Sequence, residues 1–337
     1  FLWMHLHGFG AGAASASFLR LQERMAYLAR LQIRSTRFEK IDGKKATPEA
    51  QRYVRNEIAR IERKIPGPIS SVWAVPQGTE EEKSRRAKFY DDYLDHQLHL
   101  VSVFARNPNE ALRLDDSEVL GDRCSQNSVF LTFDDGPDAE RTPKILDALK
   151  EVKARAVFFV LGSRLHDHSG ESTPLLRRMI TEGHAIGLHG WDHRVMDGEG
   201  LEMEAMRGVE RAAAVLRGLC GRKADLFRAP YGRRNLTLLR KLRAAGMQHV
   251  LWNIDSLDWN RSLGDDEVRD RVLRLARLYD GGIVLFHDPV PRTAGVLRQV
   301  LRQLKSEGFA MGDREDKLGS GSERADLVRD NKINVRR

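Results

Sequence analysis

The 337-residue sequence predicts an α/β fold: parallel strands with crossover helices, closed or nearly closed into a barrel of about seven units and preceded by a charged helical region. Three observations carry that prediction. From Ser128 onward, short β-rich runs alternate with amphipathic stretches. Each polar cluster falls at the C-terminal end of such a run, where barrels of this kind place their chemistry. Upstream, residues 17 to about 122 show helical periodicity and no cluster of catalytic type.

Taken in order, residues 1–16 are apolar, rich in small residues, and close on Ala14-Ser15-Ala16. They resemble the later part of a signal peptide or anchor, which would associate the protein with a membrane or envelope. An ordinary N-terminal helix packed on the core is the alternative. Phe18–Arg34 carries apolar residues at helical spacing. Thr47 is an N-cap with Pro48 at the first helical position, for a helix that runs to about Lys64 and stops at Pro66-Gly67-Pro68. A third helix spans Glu80 to Phe104, broken by Asn107-Pro108-Asn109.

Downstream, the strand runs are Val129–Phe133, Ala156–Leu161, Ala185–Leu188, Asp225–Arg228, His249–Ile254, Gly282–Phe286 and a weaker Phe309–Met311. The helices between them are Pro143–Glu151, Thr173–Gly183, Leu201–Leu219, Leu236–Ala245, Asp265–Tyr279 and Thr293–Glu307. Residues from about 315 onward are polar and glycine-serine rich, as in a flexible tail.

Hydrophobic content of 41% and charged content of 31% are globular values. The net charge of +8 favours anionic surroundings. Its arginines, however, spread over periodic segments such as Arg207–Arg243, and no basic cluster alternates with aromatics as a nucleic-acid groove would. Cys124 and Cys220 form no CxxC unit, which leaves either one disulfide or two free thiols. Past the N-terminus, no stretch reaches the length of a membrane span.

Five clusters remain. Asp134-Asp135 follows the apolar run Ser128–Phe133 and precedes Gly136-Pro137, a turn that lifts both carboxylates clear of a buried strand. Asp138 and Thr142 are better placed than either to cap the next helix. His189 and His193 would share a face if their segment turned helical. A carboxylate with two paired imidazoles is the donor set of a zinc site that keeps a position open for water, so the clusters point to metal-assisted hydrolysis. Arg228 ends an apolar run, where burial would demand a carboxylate such as Asp134. The following Ala229-Pro230-Tyr231-Gly232 shapes a tight turn that can aim a backbone N–H at a reacting oxygen. In Asp255-Ser-Leu-Asp-Trp259, Asp255 could orient an imidazole and Trp259 could wall a sugar pocket. His287, at the end of Gly282–Phe286, suits a third metal ligand or a general acid whose pKa a bond to Asp255 would raise.

Together the five segments resemble the polysaccharide deacetylase family, the NodB-homology domain of carbohydrate esterase family 4, over about residues 122–313. That resemblance implies a distorted (β/α)7 TIM-like barrel at 122–313. It leaves residues 17–121 as a helical region without an assigned role and 314–337 as a tail. It implies Asp134 as catalytic base, and Asp135, His189 and His193 as ligands of a divalent metal, zinc first, with cobalt, nickel or manganese as alternatives. Arg228 would tether the base, the Tyr231 backbone N–H would help hold the oxyanion, and Asp255 would tune His287 as general acid. Trp259, Leu285 and Pro230 would line the substrate pocket. Two positions depart from the family pattern: Gly190 stands where Ser or Thr is usual, and Phe286 where an aliphatic residue is usual.

The implied activity is removal of N-acetyl groups from an acetylated polysaccharide or oligosaccharide containing N-acetylglucosamine, in an extracytoplasmic or envelope setting, with no nucleic-acid partner. Two other readings stand beside it. One is cleavage of another sugar amide or ester, such as acetylxylan or a formylated lipid-linked sugar. The other is a catalytically idle carbohydrate-binding protein.

Overall fold

Seven parallel strands, side by side in the order β5-β4-β3-β2-β1-β7-β6, curl into a partial barrel, and a short β8 pairs with the start of β1. The computed structural model describes residues 11–36, 47–65, 78–103, 117–121, 124–198 and 200–312. The segment 1–10 and the tail from 313 lie outside the described residues.

Strand and helix alternate as the sequence pattern requires: β1 (Ser128–Asp134), α4 (Thr142–Glu151), β2 (Ala156–Val160), α5 (Gly162–Asp167), α6 (Ser169–Thr181), β3 (Ala185–Leu188) and α7 (Glu202–Cys220). There follow β4 (Leu226–Phe227), a 3₁₀ turn (Pro230–Gly232), α8 (Leu236–Ala244), β5 (Gln248–His249), β6 (Ile254–Asp255), α9 (Asp265–Tyr279), β7 (Gly281–His287), α10 (Thr293–Ser306) and β8 (Ala310–Met311). Along the strands, side chains divide by parity. Phe130, Val157, Phe159, Leu226, Ile283 and Leu285 form an inner cluster. Their neighbours Leu131, Phe133, Phe158, Val284 and Phe286 pack outward in the core under the helices. Phe286, the departure from the family pattern, stacks there on Phe133 at 5.8 Å.

One expected strand is divided. The run His249–Ile254 becomes β5 and β6, which lie at opposite ends of the sheet, paired with β4 and β7 respectively. Between them the chain crosses the open seam of the barrel. Its backbone groups are taken up by other partners: Leu251 N–H by Val119 O at 2.8 Å, and Asn253 N–H by Ile283 O at 3.3 Å.

The helices α1 (Ala11–Thr36), α2 (Pro48–Glu62) and α3 (Glu80–Val103) match the predicted N-terminal elements, and Thr47 Oγ1 caps α2 by accepting the Ala50 N–H. Ala14-Ser15-Ala16 lies within α1. The three pack on one another and on α9, so that Leu28, Tyr90 and Leu94 belong to the same apolar core as the barrel. Buried Glu23 accepts from Tyr90 Oη at 2.8 Å and from Arg274 of α9 at 3.1 Å. No helix among the described residues is long and apolar enough to cross a membrane. Both cysteines are free thiols.

Candidate active site

The C-terminal ends of β1, β3, β4, β6 and β7 bring all five predicted clusters together, the Asp255–Trp259 cluster through Asp258 and Trp259. At the end of β1, Asp134 follows Phe130 and Thr132 on the inner face and is buried. Asp135 turns out of the strand with φ at +73°. Gly136 comes next because nothing larger fits: a Cβ there would lie 2.1 Å from Asp288 Oδ2. Neither Asp138 nor Thr142 caps α4 as the sequence suggests: the N-cap is Arg141, without a side-chain bond. Asp138 Oδ1 accepts the N–H groups of Glu140 and Arg141 ahead of the helix, and Thr142 Oγ1 donates to Asp288.

The two histidines meet by a different route from the one their spacing suggests. Residues 189–193 are not helical. A loop with positive φ at Gly190 (+83°) and His193 (+61°) doubles back, and the first N–H groups of α5, from Gly162 and Ser163, bind its carbonyls at Gly190 and Trp191. Gly190 replaces the usual hydroxyl residue where a Cβ would meet Met196 at 2.6 Å. His193 Nε2 lies 3.4 Å from Asp135 Oδ1, and His189 Nε2 lies 3.5 Å from the same oxygen.

These three residues present ligand atoms all within 4.8 Å of one another, the group among the described residues that could hold a metal ion. Two features fit a cation. Asp135 Oδ1 is buried without a hydrogen-bond partner. Burial pushes His189 down to about 3 despite nearby Asp135, so its ring is neutral; Nδ1 is engaged by Arg228 O at 2.8 Å, which leaves Nε2 as a lone pair.

Asp134 has a different environment. Arg228, fully buried, donates from Nη1 to Asp134 Oδ1 and to Thr132 Oγ1, both at 2.8 Å. Its Nε and Nη2 reach Val250 O and Leu251 O, each at 3.0 Å. The arginine therefore joins Asp134 to the seam where β5 and β6 part, a second task that the sequence does not signal. Burial raises the Asp134 pKa, and Arg228 and His287 oppose that rise.

His287 closes the site, and here one assignment is corrected. Its Nδ1 pairs with Asp258 Oδ1 at 2.8 Å, not with Asp255. Asp258 is buried, and its Oδ2 also accepts the His287 N–H at 2.8 Å and the Thr293 hydroxyl at 2.6 Å. Asp255 instead accepts the Leu257 N–H and lines a second cavity of about 170 Å³ with Trp252 and Arg271, facing the N-terminal helices. Leu257 adopts φ +55°, so the chain reverses between the two aspartates and returns the second, not the first, to His287. Both acids belong to one short motif, and only the turn chooses between them. Burial disfavours the charged His287 ring, but Asp258, with Asp134 and Asp135, overcomes this and pushes it up to about 10.

Asp135, His193, Trp259, Asp258 and His287 open onto a cleft of about 940 Å³. Half-exposed Trp259 stands in its wall as expected. Leu285 and Pro230 do not: Leu285 joins the inner barrel cluster one layer below His287, and Pro230 is buried in its turn. The wall also carries Arg164, Arg261 and Arg292, which no motif had singled out. Tyr231 holds φ +59° beside the metal-site residues, its ring 4.5 Å from that of His193.

A family model described as polysaccharide deacetylase matches residues 121–250. The chain is 30% identical over 222 residues to the peptidoglycan-N-acetylmuramic acid deacetylase PdaC of Bacillus subtilis, covering 66% of this chain and 45% of that protein. It thus spans less than half the length of this relative. It is 34% identical to a chitooligosaccharide deacetylase of Rhizobium leguminosarum, covering 58% of this chain and 94% of the relative. The solved structure of PdaC superposes with a TM-score of 0.52 at 29% identity, over 62% of this chain and 98% of that one.

Proposed function

This chain belongs to the polysaccharide deacetylase family, and on that premise we propose that it is a metal-dependent hydrolase releasing acetate from N-acetylglucosamine residues of an envelope polysaccharide. The observation that carries this reading is a division of partners at one rim: Asp135, His189 and His193 converge on one point, while Asp134, whose Oδ2 also lies 3.6 Å from His189 Nε2, is gripped through its other oxygen by Arg228. Two imidazole nitrogens and one carboxylate suit zinc, which when bound would supply a Lewis acid for the amide carbonyl and lower the pKa of water to about 7.

In the proposed reaction Asp134 accepts the proton of the attacking water, with Arg228 fixing the carboxylate's position. The Tyr231 N–H donates to the oxyanion that develops on the acetyl group. His287, kept protonated by Asp258, gives its proton to the departing nitrogen, without which an amine leaves badly. Acetate and a free amine result. Trp259 offers a face on which a sugar ring can stack. Relatives named for peptidoglycan and chitooligosaccharide support an acetylated glycan as substrate, and the +8 charge favours an anionic envelope polymer.

The test is acetate release from chitin oligomers and from peptidoglycan fragments, with zinc added or chelated, beside acetylxylan and a formylated sugar. Zinc-dependent acetate from an N-acetylated glycan is expected. Folded, zinc-binding protein that releases acetate from neither N-acetylated substrate would sink the proposal.

A further inference from the structure

Behind the Ala229–Gly232 turn lies a buried polar cluster that the reaction above does not use: Glu118, Arg234 and His249. Glu118 precedes the stretch that the family model matches. Its Oε1 accepts from Arg234 Nε at 2.6 Å and from His249 Nδ1 at 3.0 Å, and its Oε2 from Arg234 Nη2 at 2.9 Å. On the far side of the imidazole, Nε2 accepts the backbone N–H of Ala229 at 3.1 Å. An amide N–H can only donate, so Nε2 carries the lone pair and the ring proton sits on Nδ1, facing Glu118. Burial keeps the ring neutral, lowering its pKa. Glu118 stays ionised although burial opposes it, since His249 and Arg234 hold it down at about 2.

The position of this cluster gives it a task. The strand ladder of β4 ends where Arg228 N–H binds Leu188 O and Phe227 O accepts Val250 N–H. Ala229 is the first residue beyond it, and the His249 ring takes its N–H in place of a neighbouring strand. At the other end of the turn, Arg234 Nη1 donates to Gly232 O at 3.2 Å. One carboxylate therefore joins the two groups that grip the ends of a four-residue segment. Within that segment Tyr231 sits in the left-handed region at φ +59°, a conformation that persists only where its surroundings over-determine it.

We propose that Glu118, acting through His249 and Arg234, is a positioning residue that fixes the Ala229–Gly232 turn and so sets where the Tyr231 amide stands relative to the reacting carbonyl. This rests on the reading of Tyr231 as oxyanion donor. None of the three side chains touches substrate, so their effect falls on turnover and not on binding.

The test pairs steady-state acetate release with amide hydrogen exchange on the full chain. His249→Phe is expected to lower kcat by about 10- to 100-fold while KM and calorimetric zinc affinity stay within about twofold. Exchange of the 229–233 amides should quicken while that of β1, β2 and β7 is unchanged. His249→Gln, whose carbonyl can again accept the Ala229 N–H, should recover most of the lost kcat and the protection. Glu118→Gln should show the same signature as His249→Phe. A kcat for His249→Phe within about twofold of wild type, a Gln variant no better than the Phe variant, or unchanged exchange at 229–233 would each overturn the proposal. Should the wild-type chain release no acetate, the activity reading fails by itself, and the exchange data for the two His249 variants still decide the positioning claim.

Discussion

Asp134 and Asp135 are neighbours in sequence and both lie near His189 Nε2, at 3.6 and 3.5 Å, but Arg228 Nη1 binds only the first, at 2.8 Å, and His193 Nε2 lies 3.4 Å from the second. A substitution at each should therefore fail in its own way. Asp134→Asn keeps the shape and should still bind zinc, with kcat lower by about 100- to 10,000-fold, the range for losing a general base. Asp135→Ala or His193→Ala should lose zinc binding and turnover together, as calorimetry beside acetate release would register. Equal zinc loss in Asp134→Asn and in the two truncating variants would contradict the division. For His287 the sign is set by Asp258. A carboxylate at 2.8 Å favours the protonated ring, so Asp258→Asn should bring the His287 pKa down from about 10. The alkaline limb of the kcat profile should move to lower pH. In the metal-free protein the same pairing contributes stability that is fully present below the ordinary value of 6.5 and is lost as pH rises through about 10; melting curves across that window would reveal it.

At the scale of the element, the site is made by what happens just after strands end. Ideal strands supply only the alternation that turns Phe130, Thr132 and Asp134 inward. Asp134 and His287 are the last residues of their strands, and the rest of the site stands on residues beyond, three of them with positive φ: Asp135, His193 and Tyr231. Such conformations cost energy and need close supports. Gly136 is one of those supports, lying where a Cβ would come within 2.1 Å of Asp288 Oδ2. Gly136→Ala should therefore destabilise the fold by about 1–3 kcal/mol, as overpacking does, and reduce turnover in the protein that remains folded. Chemical denaturation beside an acetate assay would check both. An alanine variant with wild-type stability would mean that the loop yields freely. These loop geometries are not readable from the sequence, which is why the spacing of the histidine pair suggests a helical turn and why the sequence points to Asp255 as the partner of His287. In both cases the residue types were correct and the backbone path between them decided which atoms meet.

At the scale of the whole molecule, the N-terminal helices share the barrel's core. Glu23 sits between Tyr90 of α3 and Arg274 of α9, almost without solvent. Removing it would leave Arg274 and Arg86 without that carboxylate. Glu23→Ala should thus cost about 3–5 kcal/mol, the range for breaking a buried ion pair. If the helices and barrel unfold as one unit, a single transition should shift; if the helices are merely appended, the barrel transition should stay in place.

Most of the helix and strand positions were legible because they follow from periodicity, a local property of the chain. Thr47 as a cap, α9 at Asp265–Tyr279 and β3 at Ala185–Leu188 appear as read. The identities of the chemical groups were legible too, since two adjacent carboxylates after an apolar run have little structural use, and the arginine ending another run needs a carboxylate. What only the tertiary structure decided is pairing across long separations: Asp258 with His287, Glu118 with His249, and Arg228 with the carbonyls of a strand divided between two ends of the sheet. Hydrogen bonds act over about 3 Å and depend on direction. A sequence states which donors and acceptors exist, whereas turns of three or four residues determine which of them come within reach.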